Sequence, residues 1–183
     1  MTIAIIGAGM AGISCAQLLM QAGIEVHCFD KARGPSGRMA SRRHDLGACD
    51  HGAQYFTAKD RGFRRQVEAW CALGAVAPWP GRVGHWQDGA IHADREATTR
   101  YVGTPRMSAC LRAASESLPL STGCQISSLH QDDAGAWWCT DTNQHQHGPF
   151  TQVLCTAPAP QAAALLPRAH PLLDPLSQVE MAP

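Results

Sequence analysis

The sequence carries no excess charge of either sign: Lys and Arg total 15, and Asp and Glu total 15. A balanced chain gives no reason to expect nucleic acid or an anionic membrane as the main partner. Arg far outnumbers Lys, but the arginines are scattered and form no basic run. Also missing is a run of about eighteen apolar residues, the length that spans a bilayer. The apolar stretch from Ile3 to Met20 has no Lys or Arg before it and is interrupted by glycines, so it does not read as a secretory signal. The cytoplasm is the expected compartment. Internal repeats and low-complexity segments are lacking. No CxxC occurs among Cys15, Cys28, Cys49, Cys71, Cys110, Cys124, Cys139 and Cys155, and most of these sit in apolar segments. Buried free thiols are therefore expected rather than disulfides. His145 and His147 form an HxH pair, but in a polar stretch with no Cys or carboxylate at ligand spacing, so no metal site is expected.

What is present suffices for a globular fold. The chain has 183 residues, of which 45% are apolar, enough for one domain with a core or one domain plus part of another. Ile3 to Ile6 is a short, mostly β-branched run that suits a strand buried on both faces. It leads into Gly7-Ala8-Gly9-Met10-Ala11-Gly12. Ile13 to Ala22 reads as a helix with Gly23 as its stop, and Glu25 to Phe29 as a second strand ended by Asp30. Strand, glycine loop, helix, strand and acid make a dinucleotide-binding βαβ unit. Gly7 turns the chain out of the strand, Gly9 leaves room for a pyrophosphate, and Gly12 lets the helix pack on the sheet. The helix N–H groups, those of Met10 and Ala11 among them, then face phosphate, and the helix dipole favours its charge. Asp30, eighteen residues after Gly12, is placed to accept from ribose hydroxyls. The loop that follows, Lys31-Ala32-Arg33-Gly34-Pro35-Ser36-Gly37-Arg38-Met39, puts Arg donors beside the same nucleotide.

With that loop, the stretch IAIIGAGMAGISCAQLLMQAGIEVHCFDKARGPSGRM resembles the flavin-containing amine oxidase superfamily. Asp50-His51-Gly52-Ala53-Gln54-Tyr55-Phe56-Thr57 resembles the renalase-like branch of it. So do Tyr101-Val102-Gly103-Thr104-Pro105-Arg106-Met107-Ser108, Gly148-Pro149-Phe150, and Thr156-Ala157-Pro158-Ala159-Pro160-Gln161. The resemblance implies FAD as cofactor. Gly7, Gly9, Met10, Ala11 and Gly12 would hold its pyrophosphate and Asp30 its ribose. Arg38 would sit against the phosphates or ribityl chain, and Lys31, Arg33, Gly37 and Met39 would also bind the cofactor. Gly52, Ala53 and Gln54 would pass the ring, and Ala157 and Pro158 would close over the nucleotide half. Two positions depart from the pattern: Ser36 stands where the branch usually has glycine, and Cys15 replaces a small residue of the first helix. No catalytic residue is assigned. His51 and Tyr55 fall near the expected ring position and read as structural.

The remaining chain supplies further elements. Asp60 can N-cap a helix through Leu73, with Phe63, Val67, Trp70 and Cys71 on its core stripe and Gly74 as its stop. Ala75 to Arg100 reads as short strands and loops. Thr104 and Pro105 read as N-cap and first-turn proline of a helix through Ser117. Leu120 to Leu129, Ala136 to Thr142 and Phe150 to Cys155 read as three strands of a meander. Ala157 to Pro171 reads as a strand end followed by a helix, and Val179 to Pro183 as entry to a strand.

The expected fold is α/β: a Rossmann-type FAD/NAD(P)-binding domain with a β-meander and an incomplete inserted substrate domain. Residues 1–60 would form the FAD-binding core and 61–104 an inserted substrate-side segment. Residues 105–160 would continue the FAD domain, and 161–183 would begin a truncated substrate domain. Members of the branch continue further, with a C-terminal glycine-acid motif that nothing after Thr156 supplies, so a truncated product is expected. The implied activity is hydride transfer to flavin from a small-molecule substrate, an amine or a dihydronicotinamide. A non-catalytic nucleotide-binding remnant and an NAD-dependent dehydrogenase are the alternatives. The Arg38 loop and the Gln54 motif weigh against the latter.

Overall fold

A computed structural model describes residues 1–45, 47–93 and 98–181. The chain opens with β1 (Thr2–Ile6), α1 (Met10–Gln21) and β2 (Glu25–Asp30). After a single 3-10 turn (Gly37–Met39) come β3 (Ser41–His44), β4 (Gly47–Asp50), β5 (Phe56–Thr57) and α2 (Arg61–Ala72). Next are β6 (Val76–Pro78), β7 (Gly84–Gln87), β8 (Ala90–Ala93), β9 (Arg100–Gly103) and α3 (Ala109–Ala114). The last third holds β10 (Leu120–Thr122), β11 (Ile126–Gln131), β12 (Trp137–Asp141), β13 (Gln146–Phe150), β14 (Gln152–Cys155), α4 (Ala159–Leu165) and α5 (Leu173–Ser177). The chain divides into two compact units: Met1–Gly37 with Ala114–Pro183, and Arg38–Ala113.

The first unit is built on a parallel sheet in the order β10-β2-β1-β14. β1 is paired on both sides, with Ile3 opposite Val26 and Gln152, and its run Ile3-Ala4-Ile5-Ile6 is buried throughout. An apolar run without alternation is what a strand covered on both faces requires. Ala4 and Ile6 join Phe29, Ile126, Leu129, Cys139, Phe150 and Leu165 in one core cluster. Strand alternation turns Ile3 and Ile5 to the opposite face. α1 packs on the sheet through Ile13 and Ala16 and stops at Gly23, whose φ of +76° suits a residue without Cβ. Full burial of Ile5 alone is worth about 2–3 kcal/mol. The antiparallel sheet β11-β12-β13 is the meander.

Three expected boundaries change. Leu120 to Leu129 is two strands: Gly123, at φ +66°, ends β10 on the parallel sheet, and the chain restarts as β11 in the meander. The polar stretch holding His145 and His147 is not all loop, because β13 covers Gln146–Phe150 and pairs with β12, Cys139 lying opposite His147. Phe150, expected to start the next strand, ends β13, and β14 joins the parallel sheet beside β1.

In the second unit, Asp60 caps α2, its Oδ1 accepting from the Phe63 N–H at 2.8 Å. Val67 and Trp70 are buried on the expected stripe, where Phe63 meets Trp70 edge-on at 6.1 Å. A small antiparallel sheet, β5-β9-β6, stacks Phe56 on Tyr101. The helix expected to begin at Thr104 and Pro105 begins instead at Ala109 and ends at Ala114. The Thr104 hydroxyl donates to the Gly74 carbonyl at 2.5 Å rather than accepting from a helix N–H, and the Thr104–Pro105 peptide is cis. β7 and β8 form a hairpin whose Trp86 and Ile91 are opposite one another and exposed.

At the C-terminal end α4 follows Pro158 as expected, and 179–181 carry no strand; residues 182 and 183 of that expectation lie outside the described residues. All eight cysteines are free. Cys28, Cys110 and Cys139 are buried as expected, and burial pushes the first two up to about 11 and Cys139 up to about 12. Cys49 and Cys155 are exposed. No helix among the described residues is long and apolar enough to cross a membrane.

Candidate functional site

β1 delivers the chain to Gly7, whose φ of +105° bends it out of the sheet, and the Gly7 N–H donates to the Phe29 carbonyl at 2.8 Å. A Cβ there would lie 2.6 Å from Thr156 Oγ1. On Gly12 a Cβ would collide with the backbone carbonyl of Gly7 and approach Thr156 Oγ1 to 3.0 Å. These two glycines are demanded by the protein's own packing. Thr156 holds the turn from the far strand: its N–H donates to the Ile6 carbonyl at 2.9 Å, and its hydroxyl reaches the Ile6 and Gly7 carbonyls at 3.0 and 3.2 Å. Sequence reading met Thr156 only as part of a motif, and its hydroxyl role had no local signal, since its partners are about 150 residues away.

Gly9 is different. It is the N-cap of α1, at φ −81° and ψ −173°, extended backbone open to any residue. Among the described residues, a Cβ there would meet Gly37 Cα alone, at an ordinary 3.6 Å. Gly9 supplies no capping side chain, and the first turn of α1 holds no acidic residue. Ile13 is the first residue to donate back into the helix, to the Gly9 carbonyl at 3.0 Å. The N–H groups of Met10, Ala11 and Gly12 precede it, so the positive end of the helix dipole stays uncompensated by any first-turn side chain.

Asp30 closes the far side of this loop. Its Oδ2 accepts from the Ala8 N–H at 2.6 Å and its Oδ1 from the Ala32 N–H at 2.7 Å. A carboxylate has about four acceptor positions, so both oxygens keep capacity for a further donor. Lys31 and Arg33 are exposed in the turns that follow. Gly37 brings this segment back to the glycine loop: its φ is +51°, and a Cβ on it would lie 3.0 Å from Gly9 Cα. Ala157 is half-buried, and Pro158 is the N-cap of α4. The first unit thus gathers Gly7, Gly9, Met10, Ala11, Gly12, Asp30 and Gly37.

In the second unit, Arg38, Gly52 and Ala53 are joined through backbone. The Ala53 N–H donates to the Arg38 carbonyl at 2.8 Å, and a Cβ on Gly52 would collide with that same carbonyl. Met39 is buried, while the Arg38 and Gln54 side chains are exposed. Asp50 anchors the motif, accepting from the Ser41 hydroxyl at 2.6 Å and the Met107 N–H at 3.1 Å. His51 and Tyr55 are exposed, and the Arg100 guanidinium lies over the Tyr55 ring at 5.3 Å.

A second polar centre in the first unit was not read from the sequence. Cys124, Asp141 and His147 bring one ligand-type atom each to within 4.8 Å of one another. Asp141 is buried, and its Oδ1 is fixed by the N–H groups of Asn143 and His145 at 2.8 and 3.0 Å. Its Oδ2 meets His147 Nε2 at 3.2 Å, His145 Nδ1 at 3.3 Å and Cys124 Sγ at 3.8 Å. Burial pushes the Asp141 carboxyl up, but the bonds from the His145 N–H, His147 and the Asn143 N–H outweigh it and hold it down at about 2. Burial, and then the Asp141 carboxylate, push the Cys124 thiol up.

The sequence profile of the NAD(P)-binding Rossmann-like domain matches residues 5–69, from the end of β1 through the glycine loop, α1 and β2 into α2. The fold is Rossmann-like. Two solved structures share it. One is a candidate protoporphyrinogen oxidase from Exiguobacterium sp. 255-15, at a TM-score of 0.73 and 12% identity over 97% of this chain. The other is a candidate FAD-containing monooxygenase from Photorhabdus luminescens subsp. laumondii TTO1, at a TM-score of 0.58 and 13% identity over 87% of this chain. The chain spans 63% of the length of the first and 40% of the second.

Proposed function

We propose that this chain binds FAD through its N-terminal βαβ unit and forms the cofactor-binding portion of an FAD-dependent oxidoreductase. Gly9 carries the reading. The protein itself imposes neither a special φ nor a steric demand there, so the space beside the uncapped end of α1 is free for a pyrophosphate. Gly7, Gly9, Met10, Ala11 and Gly12 would hold the phosphates, with Asp30 accepting from the ribose. On the family resemblance, Arg38 is assigned to the phosphates or ribityl chain, Gly52, Ala53 and Gln54 to the ring, Ala157 and Pro158 to the nucleotide half, and Lys31, Arg33, Gly37 and Met39 to the cofactor without a finer place. The domain plan of 1–60, 61–104, 105–160 and 161–183 belongs to the same proposal. When bound, FAD supplies the hydride acceptor, and the protein supplies position and electrostatics. The renalase-like motifs support an amine or a dihydronicotinamide as the small-molecule substrate, oxidised in the cytoplasm.

The test is a visible absorption spectrum of the purified chain, with chromatography of any cofactor released by heat. A flavin band with released FAD is expected, and Gly9→Val should abolish it by filling the pyrophosphate space. A folded chain that stays colourless after FAD is added overturns the proposal.

A further inference from the structure

The Cys124–Asp141–His147 cluster is, among the described residues, the one group where three metal-binding side chains converge. Its dimensions are specific. Zinc bonds of about 2.3 Å to sulfur and about 2.0–2.1 Å to nitrogen or oxygen, set at tetrahedral angles, place sulfur about 3.6 Å from each hard ligand. The same geometry places nitrogen and oxygen about 3.4 Å apart. The observed separations are 3.7 Å for Cys124 Sγ to His147 Nε2, 3.8 Å for Cys124 Sγ to Asp141 Oδ2, and 3.2 Å for His147 Nε2 to Asp141 Oδ2. The three edges match one face of a metal tetrahedron.

From this we infer that Cys124, Asp141 and His147 form a binding site for a divalent transition metal of the zinc class, with water at the fourth vertex. The ligands come from three places in the fold: the turn between β10 and β11, the end of β12, and β13. The support around them is orienting. The backbone N–H groups of Asn143 and His145 hold Asp141 Oδ1, which turns Oδ2 to the cluster. The Cys124 N–H is tied to the Asp30 carbonyl at 2.9 Å, and the His147 ring packs 5.0 Å from that of Phe29. The His147 side chain is 29% exposed, so a hydrated ion has a way in. On binding, the Cys124 S–H bond breaks and its proton passes to solvent, His147 binds through an unprotonated Nε2 with its ring proton on Nδ1, and thiolate and carboxylate together neutralise the dication. No electron is transferred.

The test is cobalt titration of the reduced, chelator-stripped full chain, read as a difference spectrum against metal-free protein. Uptake of cobalt with a near-ultraviolet thiolate-to-cobalt band and tetrahedral visible bands is expected, bleached by added zinc. Cys124→Ser should remove the thiolate band, and His147→Gln should weaken binding at least about tenfold. Cys49→Ser, which breaks the exposed His44–Cys49 contact of 3.1 Å, should change nothing. Zinc should also raise the melting temperature of the unaltered chain and of Cys49→Ser, a readout independent of whether the ligand variants fold. A folded chain that takes up no cobalt and gains no thermal stability from zinc overturns the inference. So does a thiolate band that survives Cys124→Ser or vanishes in Cys49→Ser.

Discussion

The glycine loop and the Cys124–Asp141–His147 cluster lie in the same unit and are built in opposite ways. The loop is a local object: Gly7, Gly9 and Gly12 fall within six residues, and their roles follow from backbone geometry. The cluster is a tertiary object, assembled when β12 and β13 pair and Cys124 is drawn to the sheet edge by its N–H bond to Asp30. One sets the N–H groups of Met10, Ala11 and Gly12 at a helix end with no side-chain cap. The other gathers a thiol, a carboxylate and an imidazole at separations of 3.2–3.8 Å, short enough for one ion to touch all three. The loop offers backbone N–H groups, and the cluster offers side-chain atoms.

The comparison can be broken first at Gly12. Gly12→Ala drives a Cβ into the Gly7 carbonyl, neither side of which can yield, and should cost about 3 kcal/mol or more in urea unfolding. Acid comes second and acts on the cluster. The Asp141 carboxyl is held at about 2, below its ordinary 3.8, so its contribution is complete above pH 4. That contribution is lost as pH falls toward 2. Acid unfolding monitored by circular dichroism should therefore lose this component in Asp141→Asn. An unchanged acid profile would remove Asp141 from the account. Third is the helix cap of the other unit, used as a ruler: Asp60→Ala should cost about 1 kcal/mol, the ordinary value of such a cap. Smallest in stability and sharpest in meaning is Gly9→Ala. It should change unfolding free energy by under about 1 kcal/mol, yet lower FAD affinity, read by flavin fluorescence. Equal loss of stability at Gly9 and Gly12 would erase the distinction between a packing glycine and a ligand glycine.

How far the fold could be read follows the same division. β1, the glycine loop, α1, β2 and the Asp60 cap were legible because each is determined within a few residues. Leu120 to Leu129 read as one strand because its apolar spacing continues across Gly123; the positive φ there and the change of partner from β2 to β12 separate β10 from β11. β13 was hidden by composition: Gln146, His147 and Pro149 carry no strand signal, and pairing with β12 supplies what propensity lacks. His147 was met in the sequence without ligands because Cys124 is 23 residues away and Asp141 sits across a hairpin turn. Thr104 looked like a cap until Gly74 offered its carbonyl.

The pairing of β1 with β14 sets a clock. Ile3 lies opposite Gln152, so a chain emerging from a ribosome holds its first strand for 149 residues before that neighbour exists. At about 5–20 residues per second the wait is roughly 7–30 s. Throughout it, one edge of a strand with four buried apolar residues is open, and the hydroxyl of Thr156 has yet to arrive to close the turn at Gly7. An open strand edge is a template for mispairing, and β14 is what removes it from β1.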